Sequence, residues 1–106
     1  MGSAFVQHSG YGRSADEVFN SIMADDQYEN GHGGYSGTIG SARHGFVMVG
    51  VDQKRFTKTA LGRWIDKAEE DTSKHGPLHC LELPKSYAKG MGRGVRKFVF
   101  AGWVPD

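Results

Sequence analysis

Lys97-Phe98-Val99-Phe100-Ala101-Gly102-Trp103-Val104 is the stretch on which the fold turns. It is a nearly continuous apolar run, which predicts a central or well-covered strand over residues 97–104. Upstream, residues 78–83 read as a short strand ended by Pro84, which cannot donate to a sheet ladder. Residues 35–39 and 46–51 read as two strands of a hairpin joined through 40–45, and residues 4–8 form a further strand candidate.

Two helices separate these strands. Ser14 followed by Glu17 is a capping box, and Ala15, Val18, Phe19 and Ile22 then recur at helical spacing, which predicts a helix from Ala15 to about Asp25. Phe56, Ala60, Leu61, Trp64, Ile65 and Ala68 mark one face of a longer helix, beginning at Gln53 or Thr57 and stopping near Lys74, where Gly76 and Pro77 follow. Gly62 inside it costs up to ~1 kcal/mol relative to Ala, and close packing against a strand is the expected compensation. The order β-α-β-β-α-β-β predicts an α+β protein, with two helices packed on one face of a mainly antiparallel sheet of four or five strands. A ferredoxin-like sandwich is the simplest such arrangement, with other α+β topologies open.

The chain has 106 residues, a length that suits one globular domain spanning 1–106. Its apolar runs are far shorter than the ~18 residues of a membrane span. The first residues lack the basic and apolar regions of a secretory signal, so a cytosolic protein with no membrane partner is expected. The single cysteine, Cys80, excludes an internal disulfide and a cysteine-only zinc site, and on an alternating strand it points into the core. Glycine is the anomaly: 16 residues, about twice the usual ~7%. Net charge is +1, but residues 14–42 hold five acids and no Lys or Arg, whereas residues 85–97 hold five bases and no acid.

Tyr28-Glu29-Asn30-Gly31-His32-Gly33-Gly34-Tyr35-Ser36-Gly37-Thr38-Ile39 places four glycines among polar and aromatic side chains. Glycine lets the backbone approach a ligand closely or take positive φ, so His32, Gly33, Gly34, Tyr35, Ser36, Gly37 and Thr38 are candidate ligand-binding residues. The phosphate-loop ending Gly-Lys-Ser/Thr is missing, and an ordinary helix cap with a tight turn and a bulge is the plain alternative. Were the protein an enzyme, Glu29, His32 and Tyr35 are the acid-base residues to nominate.

Lys85, Lys89, Arg93, Arg96 and Lys97, interleaved with Gly90, Gly92, Gly94 and Tyr87, form a second candidate, a flexible cationic strap able to contact phosphates. A solvated hairpin loop, or one that meets the acidic stretch of a second copy in a homo-oligomer, is the rival. His8, His32, His44, His75 and His79 offer metal-ligand atoms, but Gly76 and Pro77 break the helix that would align His75 with His79, and no metal or other cofactor is expected.

The 28–39 block, together with Lys74-His75-Gly76-Pro77, the acidic Glu82 and the closing Lys97-Phe98-Val99-Phe100-Ala101-Gly102-Trp103, resembles a group of small bacteriophage-encoded proteins that carry the same blocks. The resemblance spans most of the chain. It implies a phage origin and action in the cytoplasm of an infected bacterial host, with no activity attached. The expectation is a viral accessory protein binding a host protein, a nucleic acid or a nucleotide-type ligand for host takeover or anti-defence. The alternative is a small enzyme acting on a nucleotide or phosphate-bearing substrate.

Overall fold

A computed structural model describes residues 2–30, 42, 44–73 and 75–105, the side chains of residues 27–30 excepted. Strands β1 (Ser3–Gly12), β2 (Phe46–Met48), β3 (Leu78–Glu82) and β4 (Arg96–Pro105) form one sheet in the order β1-β4-β3-β2. β4 is central, as its apolar run predicts, and pairs antiparallel with β1 on one side and with β3 on the other. β2 runs parallel to β3, and α2 (Lys58–Asp71) connects them. The protein is therefore α+β with a four-stranded, mainly antiparallel sheet. The expected strand over 35–39, and with it the hairpin, lies outside the described residues.

Contrary to expectation, the helices cover opposite faces of the sheet. Val18 and Phe19 of α1 (Ala15–Asn30) pack with Leu78, Cys80, Phe98, Phe100 and Val104, whereas Trp64 and Ala68 of α2 pack with Leu81, Val99 and Ala101. The reason lies in β4, whose successive side chains point to opposite faces and are apolar on both, so each face needs its own cover.

β1 extends well past the expected 4–8. Gly10 and Gly12 belong to it, and they interrupt no strand because α1 lies directly on them: a Cβ would stand 2.9 Å from Val18 Cγ1 at Gly10 and 2.6 Å from Val18 Cγ2 at Gly12. At the start of α1, the Glu17 N–H donates to Ser14 Oγ at 3.2 Å, while the Glu17 carboxylate accepts the Arg13 N–H at 2.6 Å. The capping box is thus present with its return bond shifted one residue upstream.

α2 begins at the second of the two expected starts, Thr57, and stops earlier than expected. Residues Gln53–Arg55 form a separate 3-10 turn, and the helix starts after Thr57, whose hydroxyl accepts the Ala60 N–H at 3.1 Å. It stops at Asp71, before Gly76 and Pro77, because Thr72 caps it with both its N–H and its hydroxyl on Ala68 O. Gly62 is exposed with no atom within 4 Å of an added Cβ, so no strand packing compensates it. No helix among the described residues is long and apolar enough to cross a membrane.

Candidate functional site

α2 rests on β3 and β4, leaving the β1 residues Gln7, Ser9 and Tyr11 on the same face exposed. Between this strip and the helix lies a cleft of about 210 Å³. Leu61, Leu83 and Val99 give it an apolar lining, Gln7 and Ser9 add an amide and a hydroxyl, and His8, Lys97 and Tyr87 complete it.

The pairing register builds the charged end. Tyr11 stands opposite Lys97 across the β1–β4 ladder, so both side chains project from one face, and the Lys97 ammonium lies 5.5 Å from the centre of the Tyr11 ring. A cation over an aromatic face is held there by the ring quadrupole. Tyr87 is positioned from the other side: its N–H donates to Pro84 O at 3.0 Å, and its ring meets Phe56 edge-on at 5.5 Å between centres.

The 85–97 segment is the β3–β4 connection. It is less free than a flexible strap, since Lys85–Ala88 form a 3-10 turn, Ala88 is buried, and the Leu83 N–H is bonded to Lys97 O at 2.9 Å. Gly90, Gly92 and Gly94 all take positive φ, which is why they alternate with Met91 and Arg93 in two consecutive tight turns. Lys85, Lys89 and Arg93 are exposed, whereas Arg96 and Lys97 are half-buried. Being consecutive on a strand, Arg96 and Lys97 point to opposite faces. Lys97 lines the cleft; Arg96 lines a groove of about 280 Å³ with Gln53, Glu82 and Lys85. Among the described residues none of the five bases is in an ion pair.

The glycine-rich candidates His32, Gly33, Gly34, Tyr35, Ser36, Gly37 and Thr38 lie outside the described residues, as does the side chain of Glu29. Of the other histidines, His79 is half-buried with its ring 6.5 Å from that of Trp64, and His75 is exposed beyond the end of α2. His8 and Ser9 border a separate groove with Ile22, Asp25 and Asp26. No group of three or more His, Cys, Asp or Glu side chains among the described residues is placed to hold a metal ion. Cys80 is fully buried; burial, with smaller contributions from the Glu82 and Asp16 carboxylates, pushes its thiol from 9.0 up to about 12. Such a thiol stays protonated and is a poor nucleophile.

Sequence reasoning missed Gln7, His8, Ser9, Leu61, Leu83 and Val99 as cleft residues, and Tyr11 as the neighbour of Lys97. Only the register that sets Tyr11 beside Lys97 brings them together, and a single sequence does not carry that register. Comparison with protein-family models, with curated proteins and with solved structures gives no match for the chain.

Proposed function

We propose that this is a small phage accessory protein that works in the cytoplasm of an infected bacterial cell by binding a phosphate-bearing ligand, a nucleic acid or nucleotide-type molecule, without turning it over. The observation that carries the reading is the cleft lined by both Lys97 and Tyr87, with the Tyr11 ring beside Lys97 and with exposed Lys89 and Arg93 in the β3–β4 connection between them. Cations that follow a backbone, interleaved with aromatic rings on a sheet face, suit a ligand made of phosphates and flat bases. Binding of this kind would serve host takeover or interference with a defence system. The phage setting rests on the likeness of residues 28–39 and 97–103 to small phage proteins.

The test is titration of labelled oligonucleotides and nucleotides at low salt, beside recovery of partners from a bacterial lysate with and without nuclease. Affinity that falls steeply as salt rises, and partners lost on nuclease treatment, are expected. No binding at low salt, with a protein partner that survives nuclease, would overturn the reading.

A further inference from the structure

The geometry points to single-stranded nucleic acid as the ligand, held so that one unstacked base enters the cleft beside Tyr87 while the adjoining phosphate meets Lys97. This inference rests on the phosphate-binding reading above and narrows it.

Size is the first argument. At about 210 Å³ the cleft is smaller than the roughly 300 Å³ at which pockets for whole small molecules begin. It admits one flat ring system and leaves the rest of the ligand outside, which is the situation of one residue in a longer strand.

Chemistry is the second. The lining of Leu61, Leu83 and Val99 suits the faces of a base, and the Gln7 amide and Ser9 hydroxyl offer both donors and acceptors to its edge. Tyr87 is already fixed by Phe56, so stacking on it orders little that is not ordered beforehand. Lys97 lines the same cleft with its ammonium 5.5 Å from the centre of the Tyr11 ring, within reach of a phosphate beside the bound base. In a duplex the base faces are stacked and only their edges are accessible, so entry into the cleft requires an unpaired base. Exposed Lys89 and Arg93 lie between Tyr87 and Lys97 in the same β3–β4 connection and add two further cations.

The experiment compares, by fluorescence anisotropy, an oligothymidylate, a strand of equal length and charge that is abasic throughout, and a blunt duplex, with free thymidine monophosphate as competitor. The base-bearing strand should bind tightest, ahead of the abasic strand by about 5- to 150-fold, the usual range for one base stacked on an aromatic side chain. Tyr87→Leu should erase that advantage and leave the salt dependence intact. Ser9→Trp, a bulky substitution at an exposed strand position that fills the cleft, should do the same, and it keeps the test valid should Tyr87→Leu disturb the fold.

Equal binding of abasic and base-bearing strands with a steep salt dependence overturns the inference and leaves the phosphate-binding reading standing. Duplex binding as tight as single-strand binding, or competition by the mononucleotide at the strand's own concentration, also overturns it. Failure of every probe to bind at low salt is a different result, and it sinks the underlying reading.

Discussion

The Thr72 hydroxyl accepts the Trp103 N–H at 3.1 Å and donates to Ala68 O at 2.8 Å, so one side chain ends α2 and ties it to the central strand. The Trp103 indole adds a second tie, donating Nε1–H to Glu69 O at 2.8 Å. Trp103 lies beyond the last β3 partner of β4, so its N–H has no ladder acceptor on that side, and Thr72 supplies one.

Thr72→Val keeps the shape and removes the hydroxyl. It should destabilise the protein by about 1–3 kcal/mol, the cost of leaving a half-buried donor unsatisfied, while Thr72→Ser should retain most of the stability. In a chain of this size ~1 kcal/mol lowers Tm by about 4–8 °C, so thermal unfolding resolves the pair. A valine variant that melts with the parent contradicts the role given to this bond.

Two buried strand glycines, Gly12 of β1 and Gly102 of β4, and the glycine within α2 should respond to alanine in opposite directions. At Gly12 the new Cβ meets the stiff side chain of Val18 at 2.6 Å, and at Gly102 it meets Leu78 Cδ2 at 2.7 Å with the Leu78 Cα 3.3 Å behind it. Both sites are buried, and overpacking there should cost about 1–3 kcal/mol. Gly62→Ala, with open space around it, should stabilise by up to ~1 kcal/mol through helix propensity alone. Chemical denaturation of the three variants checks the sign at each position.

What the sequence disclosed depended on whether a feature is local. The Ser14–Glu17 box and the Val18, Phe19 and Ile22 spacing fix α1 within a few residues, and the run from Phe98 to Val104 marks the central strand. β1 runs past the expected 4–8 through Gly10 and Gly12, and the reason for those glycines lies in α1, which comes later in the chain and packs on them. The two-sided cover of the sheet was in principle readable: a strand apolar at Phe98 and Phe100 and also at Val99 and Ala101 leaves no wet face. The candidate cleft was legible only through Lys97 and Tyr87 of residues 85–97; its β1 wall is a matter of register.

Cys80 gives a prediction that depends on pH. Its folded-state pKa is raised from 9.0 to about 12, so the neutral thiol favours the fold fully below about pH 9, and the benefit is lost as pH rises towards about 12. Across that window the unfolded chain sheds a proton that the folded one keeps, a slope of about 1.4 kcal/mol per pH unit. Cys80→Ala should be less stable at neutral pH through its cavity but should lose stability less steeply above pH 9. The native thiol should also resist alkylation at pH 8 until denaturant is added; rapid labelling of folded protein would contradict its burial.

The split of Arg96 and Lys97 between the two faces gives the sharpest test of the site. If a single strand lies along the Tyr11 and Tyr87 face, Lys97→Ala should weaken binding markedly, and Arg96→Ala, in the groove with Glu82 on the other face, should weaken it far less. Lys89→Ala with Arg93→Ala should lower the salt dependence by about 1.4 in log–log slope, twice the ~0.7 expected for each phosphate neutralised on a single strand. These exposed turns carry little core packing, so the double variant should stay within about 0.5 kcal/mol of the parent in stability. Salt titrations of the four proteins, parent included, measure the affinities and slopes, and denaturant unfolding of the double variant measures its stability. Equal losses at Arg96 and Lys97 would mean that the chain reads only total charge at this end of the sheet, and the cleft would then have no part in recognition.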